Sequence, residues 1–330
     1  MSCLKKGMLA ALAIALAVCV TRHADAELLV YEPFDYAATS ELTNLNGGGG
    51  WGGDWTGREN MDSNVPANTA VIQGSSLAAA GLTTIGGSLL IDATAGTSQP
   101  ARSFGSYAIS KIGGAGNTTW ISFIAQRQGA TDTSGWPDNP YPRGVNFSLF
   151  ASLASDDELM GIGNSSSAAD NTWSLIPDGG GGNREGAYDP AGGVAGGGPE
   201  TPGAATFPWN DTHWAVLRID HLAGMDDMRL WLSPDPNVVP LDADADITLL
   251  AGDSNNTDDM DALEAVRAFV GAGRTSGGFP QPTGVLALDE FRVGTTYADM
   301  TGTVVTVPEP SSLVLLGLGG LALIRRRRSA

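Results

Sequence analysis

The 330-residue sequence predicts an all-β protein, a jelly-roll β-sandwich, and three observations carry that prediction. Short runs of aliphatic, aromatic and β-branched residues recur along the chain. Clusters of Gly, Pro, Asn and Asp separate them, the pattern of many short strands joined by turns. The hydrophobic fraction of 42% is enough to fill a core, which excludes a globally disordered chain.

The first 26 residues read as a secretory signal peptide. Lys5 and Lys6 precede an apolar run from Met8 to Val20, and Ala24-Asp25-Ala26 supplies a small-x-small cleavage site. That run is short for a permanent span, so cleavage is expected after Ala26 and the exported chain begins at Glu27. Lipidation at Cys19 is the weaker rival, because Val18 stands where a small residue is needed. Cys3 and Cys19 both lie in this segment, so the exported chain has no thiol. Disulfides, Cys nucleophiles, Cys-ligated zinc and Fe–S clusters are excluded with it.

Strands are expected at Leu28–Tyr31, Ser88–Ile91, Trp120–Ile124, Val145–Phe150, Trp214–Ile219, Met228–Leu232 and Val285–Leu288, the last continuing to Val293. Val145, Phe147 and Leu149 fall on one face of theirs. Trp214 to Ile219 is apolar on both faces apart from Arg218, as suits a central strand. Asp258 to Val270 admits a capped helix, but its strand-forming neighbours favour a turn followed by a strand over 265–270. Residues 178–203, dominated by Gly, Pro and Ala, read as a surface excursion with little fixed structure.

The C-terminal end has three parts. Val307-Pro308-Glu309-Pro310 comes first, then an apolar stretch from Leu313 to Ile324, then Arg325, Arg326, Arg327 and Arg328. An apolar segment followed by four arginines halts translocation, with the arginines kept on the cytoplasmic side. The stretch is short against the ~30 Å hydrocarbon core, so a weak or transient membrane anchor is expected rather than a permanent one. Prolines on both sides of Glu309 hold the approach extended, as a processing enzyme needs.

Charge separates the parts. Three of the 18 basic residues lie in the first 26 and four at 325–328, leaving 11 against 34 acidic residues between Glu27 and Val307. The exported part is therefore strongly acidic, at −23, which argues against nucleic acid and against charge-driven docking on an anionic membrane.

Few groups point to catalysis. No Glu-x-Asp-x-Glu string occurs, and the adjacent acids Asp156-Asp157-Glu158 and Asp289-Glu290 read as charged turn and strand-end residues. His213 and His221 are the histidines of the exported chain. No histidine follows Gly252-Asp253-Ser254, where a lipase-type triad needs its base. His213 reads as a surface or strand-end residue, and the two histidines lack a nearby ligand cluster in sequence. The expectation is a protein that is not an enzyme.

Calcium is the candidate ion. Asp242, Asp244 and Asp246 alternate, which in an extended chain sets three carboxylates on one side. Asp253 and Asn255 begin a calcium-loop spacing in which Asp258 replaces the required glycine; bare acidic turns are the alternative. Trp136, Tyr141 and Trp209, in Pro-containing loops, are candidate glycan contacts, because sugar faces stack on aromatic rings.

The C-terminal arrangement resembles the PEP-CTERM sorting signal of exported bacterial proteins. That resemblance implies a short C-terminal transmembrane sorting helix, an exosortase-type membrane enzyme as partner, and a cell-envelope or matrix setting rich in exopolysaccharide. The segments ELLVYEPFDY, HWAVLRID and LALDEFRVGTTYADMTG resemble concanavalin A-like, laminin-G-like domains. This implies that the first and last strands meet in one sandwich over 27–302, between the signal peptide (1–26) and the sorting signal (303–330). The expected role is structural or adhesive within the envelope, with carbohydrate as a candidate partner. A glycan-active enzyme on the same sandwich is the alternative.

Overall fold

A computed structural model describes residues 26–57, 65–128, 144–155, 157–164, 172–177, 187–189, 193–195, 201–206, 211–253, 259–272, 274–276, 279–281 and 284–302. Both termini with their sorting features, including Ala24, Pro308, Glu309, Pro310 and Arg325 to Arg328, lie outside the described residues. Ala26 is exposed at the start of the described chain. No helix among the described residues is long and apolar enough to cross a membrane.

The described strands are, in order, β1 (Leu28–Glu32), β2 (Thr56–Gly57), β3 (Ala70–Gln73), β4 (Ser88–Asp92), β5 (Pro100–Ser103), β6 (Thr118–Arg127), β7 (Val145–Ser152), β8 (Asp157–Asn164) and β9 (Thr172–Pro177). They continue as β10 (Ala187–Asp189), β11 (Gly193–Ala195), β12 (Thr201–Thr206), β13 (Thr212–Asp220), β14 (Asp227–Leu232), β15 (Ile247–Leu249), β16 (Ala265–Val270), β17 (Arg274–Ser276), β18 (Phe279–Gln281) and β19 (Val285–Gly294). Two antiparallel sheets form the predicted sandwich. One runs β15-β14-β13-β6-β19-β4-β3 with β1 also paired to β19; the other runs β12-β9-β8-β7-β16-β5-β2. β10–β11 and β17–β18 are separate hairpin pairs.

Every strand expected from sequence is present. The first and last strands meet, with Tyr31 opposite Arg292 and Glu32 opposite Phe291. Residues 265–270 form a strand after the 3-10 turn Met260–Ala262, so the turn-and-strand reading holds over the helix. Within 178–203, residues 187–189 pair with 193–195 in a hairpin apart from both sheets, and Thr201–Thr206 begins as an edge strand paired with β9.

Between the sheets sits one continuous apolar core. Phe123 and Phe147 meet across it at 4.9 Å between ring centroids, as do Phe147 and Phe291. β13 divides its side chains as its sequence requires: Ala215, Leu217 and Ile219 enter this core, while Trp214 and Val216 face the other way. There they join a second cluster with Trp120, Trp231, Tyr297 and Met300, in which Trp120 stacks on Trp231 at 5.8 Å. The eight-stranded sheet is thus buried on both faces.

A buried ion pair ties the glycine-rich segment 46–53 to this frame. Glu32 and Arg102 are fully buried and 2.6 Å apart. Arg102 also donates to the carbonyls of Gly53 and Gly47 and to Asn46 Oδ1, and its guanidinium lies 4.7 Å from the Trp51 ring. The glycines fit β1 because it leaves no room for side chains. A Cβ on Gly50, at φ +80°, would lie 1.9 Å from the Leu29 carbonyl oxygen.

Candidate functional site

Three sheet faces are buried in two apolar clusters; on the fourth, the outer face of the seven-stranded sheet, Ala101, Phe150, Leu153 and Ala265 form a smaller buried cluster, and the register beside it builds a candidate site. Val266, Ala268 and Val270 of β16 and Val145, Phe147 and Leu149 of β7 enter the core, so the residues between them turn outward. Cross-strand pairing then aligns Ala101, Arg267, Ser148, Gly161 and Ile176 in one row across β5, β16, β7, β8 and β9. The neighbouring row is Phe269, Asn146, Gly163, Ser174 and Pro202. Gly161 and Gly163 are buried: a Cβ on Gly161 would touch the Ile176 side chain, and one on Gly163 would lie 2.7 Å from the Val145 carbonyl oxygen.

Arg267 organises the rows. It pairs with Glu158 at 2.5 Å and donates to Ser148 Oγ at 3.1 Å and to Gln99 Oε1 at 3.2 Å. Ser148 in turn donates to Asn146 Oδ1 at 3.0 Å. The guanidinium is sandwiched by aromatic rings, 4.8 Å from Phe150 and 5.3 Å from Phe269. Ser174 Oγ, fully buried, has no hydrogen-bond partner among the described residues. Asn146, Phe269 and Gln99 are partly exposed and form the approach. Arg267 and Ser148, both buried, position the partly exposed Asn146, Phe269 and Gln99, and these two amides and one aromatic ring can hydrogen-bond a polyhydroxylated ligand and stack on its apolar face.

The residues singled out from sequence fare differently. Trp136, Tyr141, Trp209 and Asn255 lie outside the described residues. Asp242 and Asp244 form a 3-10 turn rather than an extended run, which corrects the aligned-carboxylate expectation. The physical reason is local pairing: Asp242 accepts from Arg218 at 2.8 Å and lies 3.5 Å from Arg229, while Asp246 caps the Leu232 amide. The Arg218 contact holds the Asp242 carboxyl below its usual range. Asp253 accepts from the Leu250 amide at 2.7 Å.

The adjacent acids also need correction. Asp289 and Glu290 lie within β19 and are buried, not exposed at a strand end. A bulge there, with Glu290 at φ +50°, turns both carboxylates toward the segment 75–86. Asp289 accepts from the Leu77 amide, and Glu290 from Ile85, Tyr31 and Arg292. Burial pushes the Asp289 carboxyl up to about 8. Glu158 likewise is buried in its pair with Arg267. His213 lies in β13 edge-on to Trp173, and burial lowers its pKa. His221 is buried against Asp226 and Asp261, a ligand cluster that sequence spacing alone does not reveal.

Sequence reading did not identify Arg267, Ser148, Asn146, Glu158 or Ser174 as a group. Their signal was present in the alternation of β7 and in an arginine set inside the apolar run Ala-Val-Arg-Ala-Phe-Val. What it lacked was the register that places them side by side.

No curated protein matches this chain in sequence. Among solved structures it is similar to an endo-beta-1,4-glucuronan lyase from the fungus Trichoderma reesei, at 13% identity and TM-score 0.43, covering 83% of this chain and 98% of the other. It is also similar to an endo-1,3-beta-glucanase from Streptomyces sioyaensis, at 14% identity and TM-score 0.43, covering 82% and 96%. A third is the binding domain of botulinum neurotoxin serotype C1, at 10% identity and TM-score 0.35, covering 75% of this chain and 49% of that one. Two of the three are, by their titles, a lyase and a glucanase; at these identities the likeness is one of fold alone, and the expectation that the chain is not an enzyme is withdrawn. At the C-terminal end, residues 306–328 match the family described as the PEP-CTERM protein-sorting motif, and the chain carries that motif there.

Proposed function

We propose that this chain is exported, sorted to the cell envelope through its C-terminal motif, and engages carbohydrate along the outer face of its seven-stranded sheet. The sorting part rests on the motif at residues 306–328, which implies processing by an exosortase-type membrane enzyme. In this reading residues 1–26 are removed on export, 27–302 form the working sandwich, and 303–330 are the address. The carbohydrate part rests on one observation: Asn146, Phe269 and Gln99, positioned by the buried Arg267 and Ser148, form a partly exposed amide and aromatic patch on that face. Trp136, Tyr141 and Trp209 are proposed as further stacking partners, and the setting as an exopolysaccharide matrix in which the protein serves an adhesive role.

The charge of −23 between Glu27 and Val307 repels polyanions, so neutral polysaccharides are the expected partners. Affinity electrophoresis of the full-length chain through gels containing neutral or acidic polysaccharides tests this, with product release followed in parallel. Retardation by at least one neutral polysaccharide supports the reading. Unretarded migration in every gel without any product refutes the carbohydrate role.

A further inference from the structure

We propose that His221, Asp226 and Asp261 form a binding site for a divalent transition-metal cation of the zinc type. Two of the three residues share the turn between β13 and β14, and the third comes from a distant turn. His221 follows β13, Asp226 precedes β14, and Asp261 lies in the 3-10 turn Met260–Ala262. Their ligand atoms all lie within 4.8 Å of one another. His221 Nδ1 is 3.1 Å from Asp226 Oδ2 and 3.1 Å from Asp261 Oδ1. A tetrahedral zinc ion with bonds of about 2.0–2.2 Å sets its ligand atoms roughly 3.3 Å apart, a spacing that both histidine–carboxylate distances already approach.

Charge supports a cation at this point. Two carboxylates converge on one ring nitrogen, and both the His221 and Asp226 side chains are fully buried. A single ring proton serves one of the two anions in hydrogen-bonding geometry, and that one is Asp226. The Asp261 oxygen approaches the same nitrogen as a second anion, and a dication between the two neutralises both.

The ligands are also held in place from behind. His221 Nε2 is 2.9 Å from the buried Thr119 hydroxyl, which fixes the ring plane and leaves Nδ1 facing the carboxylates. Asp226 is oriented by the Leu222 amide at 2.8 Å and the Met260 amide at 2.9 Å, and Asp261 by the Gly114 amide at 2.7 Å. Only Asp261 reaches solvent, with 39% of its side chain exposed, so the ion enters on that side and a water completes its shell. One imidazole with two carboxylates suits zinc better than calcium, which takes six to eight oxygens. A bound ion clamps the loops at 113–117, 221–226 and 259–263 to one end of the sandwich.

The test uses the full-length chain, stripped with chelator and titrated with Zn²⁺ by calorimetry, with melting temperature read in parallel. One equivalent of zinc bound and a melting temperature raised by on the order of 5 °C are expected. Asp261→Asn still accepts from the Gly114 amide, so it folds, and it weakens binding at least tenfold. Co²⁺ in place of zinc reads the site directly in the wild-type chain, through visible d–d absorption of a four-coordinate centre. Absence of zinc binding to the stripped wild-type chain overturns the proposal. So does Asp261→Asn binding as tightly as wild type, or a cobalt spectrum like that of the hydrated ion.

Discussion

Replacing Glu32 by glutamine removes one charge from the centre of the sandwich without changing its shape. The carboxylate accepts from Arg102 at 2.6 Å, Tyr36 at 3.0 Å, Trp55 Nε1 at 3.0 Å and the Phe34 amide at 3.1 Å. Glutamine has one oxygen where the glutamate has two, so at least one of these donors then faces an NH₂ group. Arg102 keeps three neutral acceptors but loses its counter-ion in a place with no solvent exposure. Breaking a buried pair from one side costs about 3–5 kcal/mol. In a sandwich of this size that lowers the melting point by roughly 10 °C. Urea unfolding followed by tryptophan fluorescence measures it, since Trp55 and Trp51 both border the pair. The double variant Glu32→Leu with Arg102→Met, which removes both charges, recovers a large part of the loss. A Glu32→Gln chain within about 1 kcal/mol of wild type would refute the reasoning, as would a double variant no better than the single.

Other outcomes follow from the same structure. The Asp289 carboxyl, raised to about 8 by burial against an ordinary 3.8, stabilises the fold at low pH; that contribution is lost as pH rises toward 8. Unfolding free energies from urea titrations fall between pH 5 and 8 by up to about 1.4 kcal/mol per pH unit from this group, and Asp289→Asn removes the slope. Gly50→Ala forces a Cβ into the Leu29 carbonyl and destabilises by several kcal/mol on the order set by strained backbone, whereas Gly53→Ala, with open space around it, is within about 0.5 kcal/mol of wild type by thermal melts. Asp242→Ala breaks exposed pairs with Arg218 and Arg229, and its unfolding free energy from urea titration shifts by less than about 1 kcal/mol. Intact-mass measurement of the protein from its native envelope gives a chain that starts at Glu27 and lacks the arginine-rich end. A mass that retains Arg325 to Arg328 refutes cleavage of the tail.

Much of the fold was legible because burial leaves a periodic trace. The doubly apolar run Trp214–Ile219 announced a central strand, and β13 lies between β6 and β14 with both faces covered. The resemblance between the two chain ends and one closed sandwich corresponds to the β1–β19 pairing. The sites were less legible, since they depend on partners distant in sequence. Glu32 and Arg102 are 70 residues apart, and Arg267 and Glu158 are 109 apart, so neither pair has a spacing to detect. Alternation misled at Asp242 to Asp246, because two arginines on neighbouring strands draw Asp242 into a turn. At Asp289-Glu290 a β-bulge broke the assumption that adjacent strand residues face opposite sides. At His221 the histidine was visible, but its carboxylates reach it only through loop folding.

Binding of a neutral polysaccharide by wild-type chain and by Asn146→Ala and Phe269→Ala variants tests whether carbohydrate is engaged on this face. Both side chains are partly exposed on the outer face of the seven-stranded sheet, so both variants keep the core. Each variant is expected to melt near wild type while its dissociation constant rises at least about tenfold, the loss of a stacking or hydrogen-bonding contact. Unchanged affinity in both variants, with the fold intact, would contradict the placement of carbohydrate on this face.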